Sequence, residues 1–242
     1  MSAVPPPRSV APYIGSLLLS SLIDLLLRHR LFFDLSRAPA LAGAAAGFDV
    51  AAIALSYRLA LAVFWLFFFG KILPAVLRGM APSRGALRIF GVLATIQFLV
   101  NLLAINVAIV VADVNSYELL LEAIALYFVI GLIFVYWYWF LDYPLRGKAL
   151  LLADSGGKDE AKIPPGVLFP EESFEEFAFG TNRWTPGFVD YLFFAMVAGN
   201  TFGAPEGHAV LGSSLKVAHM VHTLCMTGIF IVIVARAINT IS

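Results

Sequence analysis

Apolar and polar positions follow one another along this chain in blocks, with no period-two alternation. Long apolar runs cover about 12–27, 50–73, 89–111, 119–141 and 211–241, and a shorter one covers 188–200. Charges, glycines and prolines bound each run. Runs near 20 residues read as membrane helices, and one of 10–14 reads as a re-entrant or buried segment. The pattern therefore predicts an all-α fold, a polytopic membrane helix bundle of about five transmembrane helices plus a re-entrant half-helix. By polarity it divides into an N-terminal four-helix region at 1–142, a polar acidic loop at 143–183, and a C-terminal unit at 184–242.

The C-terminal unit organises the rest. Thr185 can N-cap the short run, and Pro186 suits a first turn, where its missing N–H has no partner to lose. From Phe188 to Asn200 a helix is about 20 Å long, against a hydrocarbon core of about 30 Å. The stretch Thr201-Phe202-Gly203-Ala204-Pro205-Glu206-Gly207 then breaks the helix. From about Leu211 to Ile241 the chain is apolar again. Non-helical backbone at membrane depth is tolerated only when buried in protein or lining water. Half-helix, loop and full helix together outline a re-entrant pore loop.

Two resemblances attach to these residues. The unit resembles the pore-helix, filter and inner-helix unit of the tetrameric potassium-channel superfamily, with Thr201 to Glu206 lying where that family carries T-V-G-Y-G-D. Thr201 and Gly203 match, Glu206 replaces an aspartate, and Ala204 and Pro205 depart. Pro205 stands where the filter needs glycine to alternate its backbone, so potassium selectivity is not carried over. The segments Trp184-x-Pro186-Gly187-Phe188-Val189-Asp190-Tyr191-Leu192 and Ala235-Arg236-Ala237-Ile238-Asn239, with the acid at Glu206, are similar to an uncharacterised family of bacterial multi-pass membrane proteins. That likeness extends to Tyr136-Trp137-Tyr138-Trp139 and Leu168-Phe169-Pro170, about the last half of the chain. It implies an integral protein of the bacterial inner membrane with ion-channel-like architecture.

Composition agrees with a membrane chain. Of 242 residues, 60% are hydrophobic and 13% charged, and mean hydropathy is +0.87, where soluble domains carry about 25% charged residues. The net charge of zero gives no reason to expect nucleic acid as a partner. The lone Cys225 rules out an intramolecular disulfide. The N-terminus reads as an anchor, because Arg28-His29-Arg30 follows the first apolar run in place of a small-residue cleavage site.

Intramembrane charge is scarce and informative. Asp24 interrupts the first run and stands four residues before Arg28, a spacing that can pair on one helix face. Arg58 lies in the second run and needs a partner or water, with Asp24, Glu118 and Glu122 as candidates. Gln97 and Asn101, four apart, predict an interhelix hydrogen-bond seam. Tyr136 to Phe140 resembles an interfacial belt. Lys71, Arg78, Arg84 and Arg88 lie in a connector without acids, cytoplasmic by the positive-inside rule. Counted from there, the half-helix enters from inside, whereas potassium-channel pore loops enter from outside: either the pore is inverted, or the positive-inside rule does not hold for this connector, or the run from Phe188 crosses fully. No span carries arginine at every third position, so voltage gating is not expected. Glu171, Glu172, Glu175 and Glu176 interleave with phenylalanines, as a solvated loop or as an acidic vestibule.

Candidate chemistry concentrates in the last unit. Thr201, Gly203 and Glu206 are the expected ion pathway, since the half-helix C-terminus and the Glu206 carboxylate both favour cations. His219 and His222 are candidates for pH sensing or pore lining. With Cys225 they step by three, which drifts around a 3.6-residue helix, and there is no Cys pair and no H-E-x-x-H, so neither metal nor cofactor is expected. Gly228 offers a hinge or a close helix contact. Without a nucleophile–base pair an enzyme is not expected. The expectation is a weakly selective, non-voltage-gated cation channel or channel-like subunit. Its partners are the lipid bilayer, monovalent cations and other copies of the chain, since one loop per chain needs several copies around an axis. The alternative is a non-conducting structural or partner-binding membrane protein.

Overall fold

The computed structural model describes residues 10–35, 50–111, 116–154, 166–172, 184–201 and 203–241. Helix dominates: α1 (Ala11–Leu35), α2 (Val50–Phe67), α3 (Leu73–Leu77), α4 (Arg84–Val111), α5 (Ser116–Asp154), α6 (Phe188–Thr201) and α7 (Ser213–Ile241). Four helical stretches among the described residues are long and apolar enough to cross a membrane: Leu55–Leu77, Arg84–Leu103, Ala123–Arg146 and Ser213–Ile231. The described apolar part of α1, Ala11–Leu26, is shorter. The helix itself runs on past Arg28-His29-Arg30, because arginine and leucine are both good helix formers.

By contacts the chain divides into two units, Met1–Ile14 with Phe134–Thr227, and Gly15–Ile133 with Gly228–Ser242. In the second of these, α2 packs on α4 through fully buried Phe64 and Phe90, whose rings stack at 4.7 Å. The α2 helix leads through a π turn, Phe68–Ile72, into α3, with the Leu73 N–H bonded to the Phe68 carbonyl. Pro74 explains the turn: a proline ring clashes with the carbonyl four residues back, here Gly70, and widening the helix relieves it. After α3 the Met80 N–H reaches the Ala75 carbonyl at 3.0 Å and the Gly79 N–H reaches Val76 at 2.9 Å. Gly79 has φ 68°, so this is a glycine-capped Schellman ending. Ser83 Oγ accepts the Ala86 N–H at 3.2 Å and opens α4.

The first unit joins the second half of α5 to α6 and the start of α7. Pro144 lies inside α5, and the helix continues to Asp154, past the Leu141 boundary expected from polarity. Two short strands, unforeseen in the apolar pattern, close the unit: β1 (Val167–Leu168) pairs antiparallel with β2 (Ala209–Val210). The α6 helix spans the expected residues, but its N-cap is Gly187, two residues later than expected. The Asp190 carboxylate accepts the Gly187 N–H at 2.5 Å, the reciprocal half of a capping box.

Candidate functional site

The path of α6 is fixed by its contacts along α5. The Tyr191 hydroxyl donates to Asp142 at 2.5 Å. The Phe194 ring meets Tyr138 edge-on at 4.8 Å. Gly199 lies against the His222 imidazole, which stacks on Phe134 at 4.2 Å. Asp142, Tyr138 and Phe134 are successive turns of α5 counted back from Arg146. At 1.5 Å per residue, Phe134 lies about 18 Å from Arg146, and a hydrocarbon core is about 30 Å thick. The inner end of α6 therefore reaches about halfway along the Ala123–Arg146 candidate span.

The chain then returns the way it came. His208 packs against Phe194 at 5.6 Å and Phe169 at 5.3 Å. Its N–H bonds the Pro205 carbonyl at 3.0 Å in a turn whose Gly207 has φ 77°. β2 then pairs with β1, and the Leu211 N–H reaches the Gly166 carbonyl at 2.8 Å. Gly212 lies against Leu145, and α7 descends past Tyr138 and Phe134 through His219 and His222. The helix goes in, the loop comes back out, and α7 starts from the end where α6 started.

The three ion-pathway candidates sit on this loop. Thr201 and Glu206 are exposed, Gly203 is half-buried and Pro205 is buried. Thr201 Oγ1 lies 3.0 Å from both the Val197 and the Gly203 carbonyl oxygens, so the Gly203 carbonyl has a partner within its own loop. The Glu206 carbonyl accepts from His208 Nδ1 at 3.2 Å. Phe202 lies outside the described residues.

His219 and His222 converge on one phenol. Tyr138 Oη lies 3.1 Å from His219 Nδ1 and 3.0 Å from His222 Nδ1. Tyr138 is fully buried, so it belongs to the core and not to an interfacial belt. Among the described residues no group of three or more His, Cys, Asp or Glu side chains is placed to hold a metal.

Polarity alone also missed a polar knot at the mouth of the unit. Asp142, the last residue before the expected polar loop, is fully buried on α5. It accepts from Tyr191 Oη and Arg146 Nε at 2.5 Å and from the Val167 N–H at 3.0 Å. Arg146 also donates to Glu172 Oε1 and the Val167 carbonyl, each at 2.5 Å. Glu172 in turn accepts the Phe169 N–H at 3.0 Å, so it is an ion-pair partner and not a solvated charge. Asp142 and Arg146 are four apart, the helical pairing distance, and that spacing was legible. Glu175 and Glu176 lie outside the described residues.

The charges expected inside the membrane, Asp24 and Arg58, fall in the other unit. Asp24 is buried and accepts from Asn101 Nδ2 and, at 3.4 Å, from Gln97 Nε2, while Ser21 Oγ donates to Gln97 Oε1 at 3.1 Å. Gln97 and Asn101 thus form an interhelix seam, and Asp24 is what they hold. Arg58 is exposed, with no ion pair among the described residues. The side chains of Arg28, Glu118 and Glu122 lie outside them. A Cβ added to Gly228 would meet nothing within 4 Å, so no close helix contact among the described residues requires that glycine.

A helical chain with four candidate spans has the build of a multi-pass membrane protein. No family model, no curated protein and no solved structure matches it.

Proposed function

We propose that this is an integral protein of the bacterial inner membrane, a member of the multi-pass family its C-terminal motifs resemble. In this reading it acts as a weakly selective, non-voltage-gated cation channel or channel-like subunit in a homo-oligomer. One observation carries the proposal: α6 ends about halfway along the candidate span and its chain returns to the side from which it and α7 start. The order of half-helix, returning loop and full helix is that of a pore-loop unit. Exposed Thr201 lies at the end of α6, where the helix carbonyls add negative partial charge, and exposed Glu206 lies further along the returning loop, next to Gly207, which comes against Pro170. A cation following the loop meets helix-end carbonyls near Thr201 and a carboxylate at Glu206, which supports cation over anion passage.

A second reading has its own observation. The Gly203 carbonyl accepts the Thr201 hydroxyl, and the β1–β2 ribbon and the Asp142–Arg146–Glu172 knot fasten the loop from outside. A loop tied in this way also suits a non-conducting protein whose re-entrant turn packs its helices.

The deciding experiment is flux from proteoliposomes. Native protein releases sodium or potassium faster than empty vesicles do, and Glu206→Gln lowers the preference for cation over anion. Native vesicles as tight as empty ones leave the second reading.

A further inference from the structure

Two imidazoles on one phenol impose an order on their protons. Tyr138 has a single O–H to give and oxygen lone pairs to accept with. Placed 3.1 Å from His219 Nδ1 and 3.0 Å from His222 Nδ1, it donates to one ring and accepts from the other, so the two rings hold complementary tautomers. His222 is 1% exposed, and its Nε2 has no hydrogen-bond partner among the described residues. A nitrogen buried in this way calls for an explanation. Its edge faces Gly199, where an added Cβ would lie 3.4 Å away. Two residues further on, α6 ends at exposed Thr201, and the partial negative charge of a helix end favours a proton arriving nearby. The other ring, His219, is half-buried. The wire thus has a half-buried end, a buried middle, and a nitrogen without a described partner beside the innermost turn of α6.

The groups around the pair are mostly apolar. α5 supplies Tyr138 and Phe134, α6 supplies Phe194 and Gly199, and the returning loop brings His208 against Phe194. Cys225 and Met226 follow on α7 itself. Among the described residues no carboxylate or cation bonds to either imidazole. One phenol–imidazole bond is enough to fasten two helices. The second, ending in an unpartnered nitrogen, is what a path for protons requires, and chains of titratable groups inside membranes mark such paths.

We propose that His219, Tyr138 and His222 form a proton relay between the half-exposed His219 and the inner end of α6. This rests on the re-entrant reading above and names the proton as an ion the unit moves. A proton binds His219 Nε2, and the Nδ1 proton of that ring passes to Tyr138 Oη. The phenol's own proton passes to His222 Nδ1, and His222 releases its Nε2 proton toward the end of α6. One proton enters, one leaves, and every group returns to neutral with its tautomer reversed. Turning of the imidazoles resets the wire, so passage is slow beside a water-filled pore.

The test reconstitutes the full chain in liposomes holding a pH dye, with proton uptake driven by a potassium diffusion potential and sodium flux followed on matched vesicles. Native protein takes up protons faster than empty vesicles. Tyr138→Phe and His222→Gln each lower that rate about a hundredfold, and Tyr143→Phe, outside the relay, leaves it unchanged. His219→Gln gives the same loss at a half-buried position, where folding does not hinge on a buried hydroxyl. No uptake by native protein, or uptake unchanged in Tyr138→Phe, overturns the relay. Sodium flux that persists without proton uptake overturns the relay alone, and loss of both removes the channel reading as well.

Discussion

Tyr191 hangs its hydroxyl on Asp142, joining α6 to α5 one turn before Arg146. The same carboxylate holds the Arg146 guanidinium and the Val167 N–H. Asp142→Asn removes the charge and sets an amide donor against donors. Breaking a buried ion pair from one side destabilises by about 3 kcal/mol, which thermal unfolding in detergent reads as a lower midpoint. Tyr191→Phe loses one hydrogen bond to a charged acceptor and falls by less, about 1.5–3 kcal/mol. Equal midpoints for Asp142→Asn and native protein would show that the knot stabilises nothing.

Gly166 is the tightest glycine described. A Cβ there would overlap Leu215 Cδ1 and lie 2.8 Å from Asp142 Oδ1 and 3.0 Å from Leu145 Cδ1. Gly166→Ala is expected to destabilise by about 1–3 kcal/mol, as overpacking does. An unchanged unfolding midpoint would mean that β1 shifts at no cost.

Gly228 is the opposite case, with open space around it. Gly228→Ala within α7 is expected to raise the stability of a single chain by about 0.5–1 kcal/mol. If cross-linking of the reconstituted protein instead shows fewer oligomers, the glycine serves contact between copies.

The Asp24 seam predicts an asymmetry. Interhelix hydrogen bonds inside membranes contribute about 0.6 kcal/mol on average and up to about 1.7, so Asn101→Leu lowers stability by an amount of that order. Arg58→Leu does not lower it, because Arg58 has no ion pair among the described residues and the change removes a charge from a candidate span. A larger loss for Arg58→Leu than for Asn101→Leu would reverse this assignment.

Much of this was legible in the chain, for identifiable reasons. Block hydrophobicity places helices well, because a membrane-length helix needs a long apolar run and little else. The short α6 was readable because Pro186 and Gly187 precede it and Gly203 and Pro205 follow it. The seam at Gln97 and Asn101 was readable from their spacing of four. What polarity hides is partnership. Asp142, Arg146 and Glu172 look like loop residues, since a charge buried by other charges has the same composition as a charge in water. Tyr138 looked interfacial because Tyr136 to Phe140 is uniformly aromatic, and only the approach of α7 singles out its hydroxyl. The strands β1 and β2 are two residues each, too short to show any alternation, and the residues that pair lie far apart in the chain.

The clamp on Val167 also settles where a reporter can be placed. Arg146 grips Val167 from α5, and Leu211, just before α7, is bonded to Gly166. An epitope inserted between Asp154 and Gly166 therefore rejoins the protein at Gly166, at the end from which both α6 and α7 begin. Antibody access to that single tag, in intact cells against inverted vesicles, reads the sidedness of the whole C-terminal unit at once.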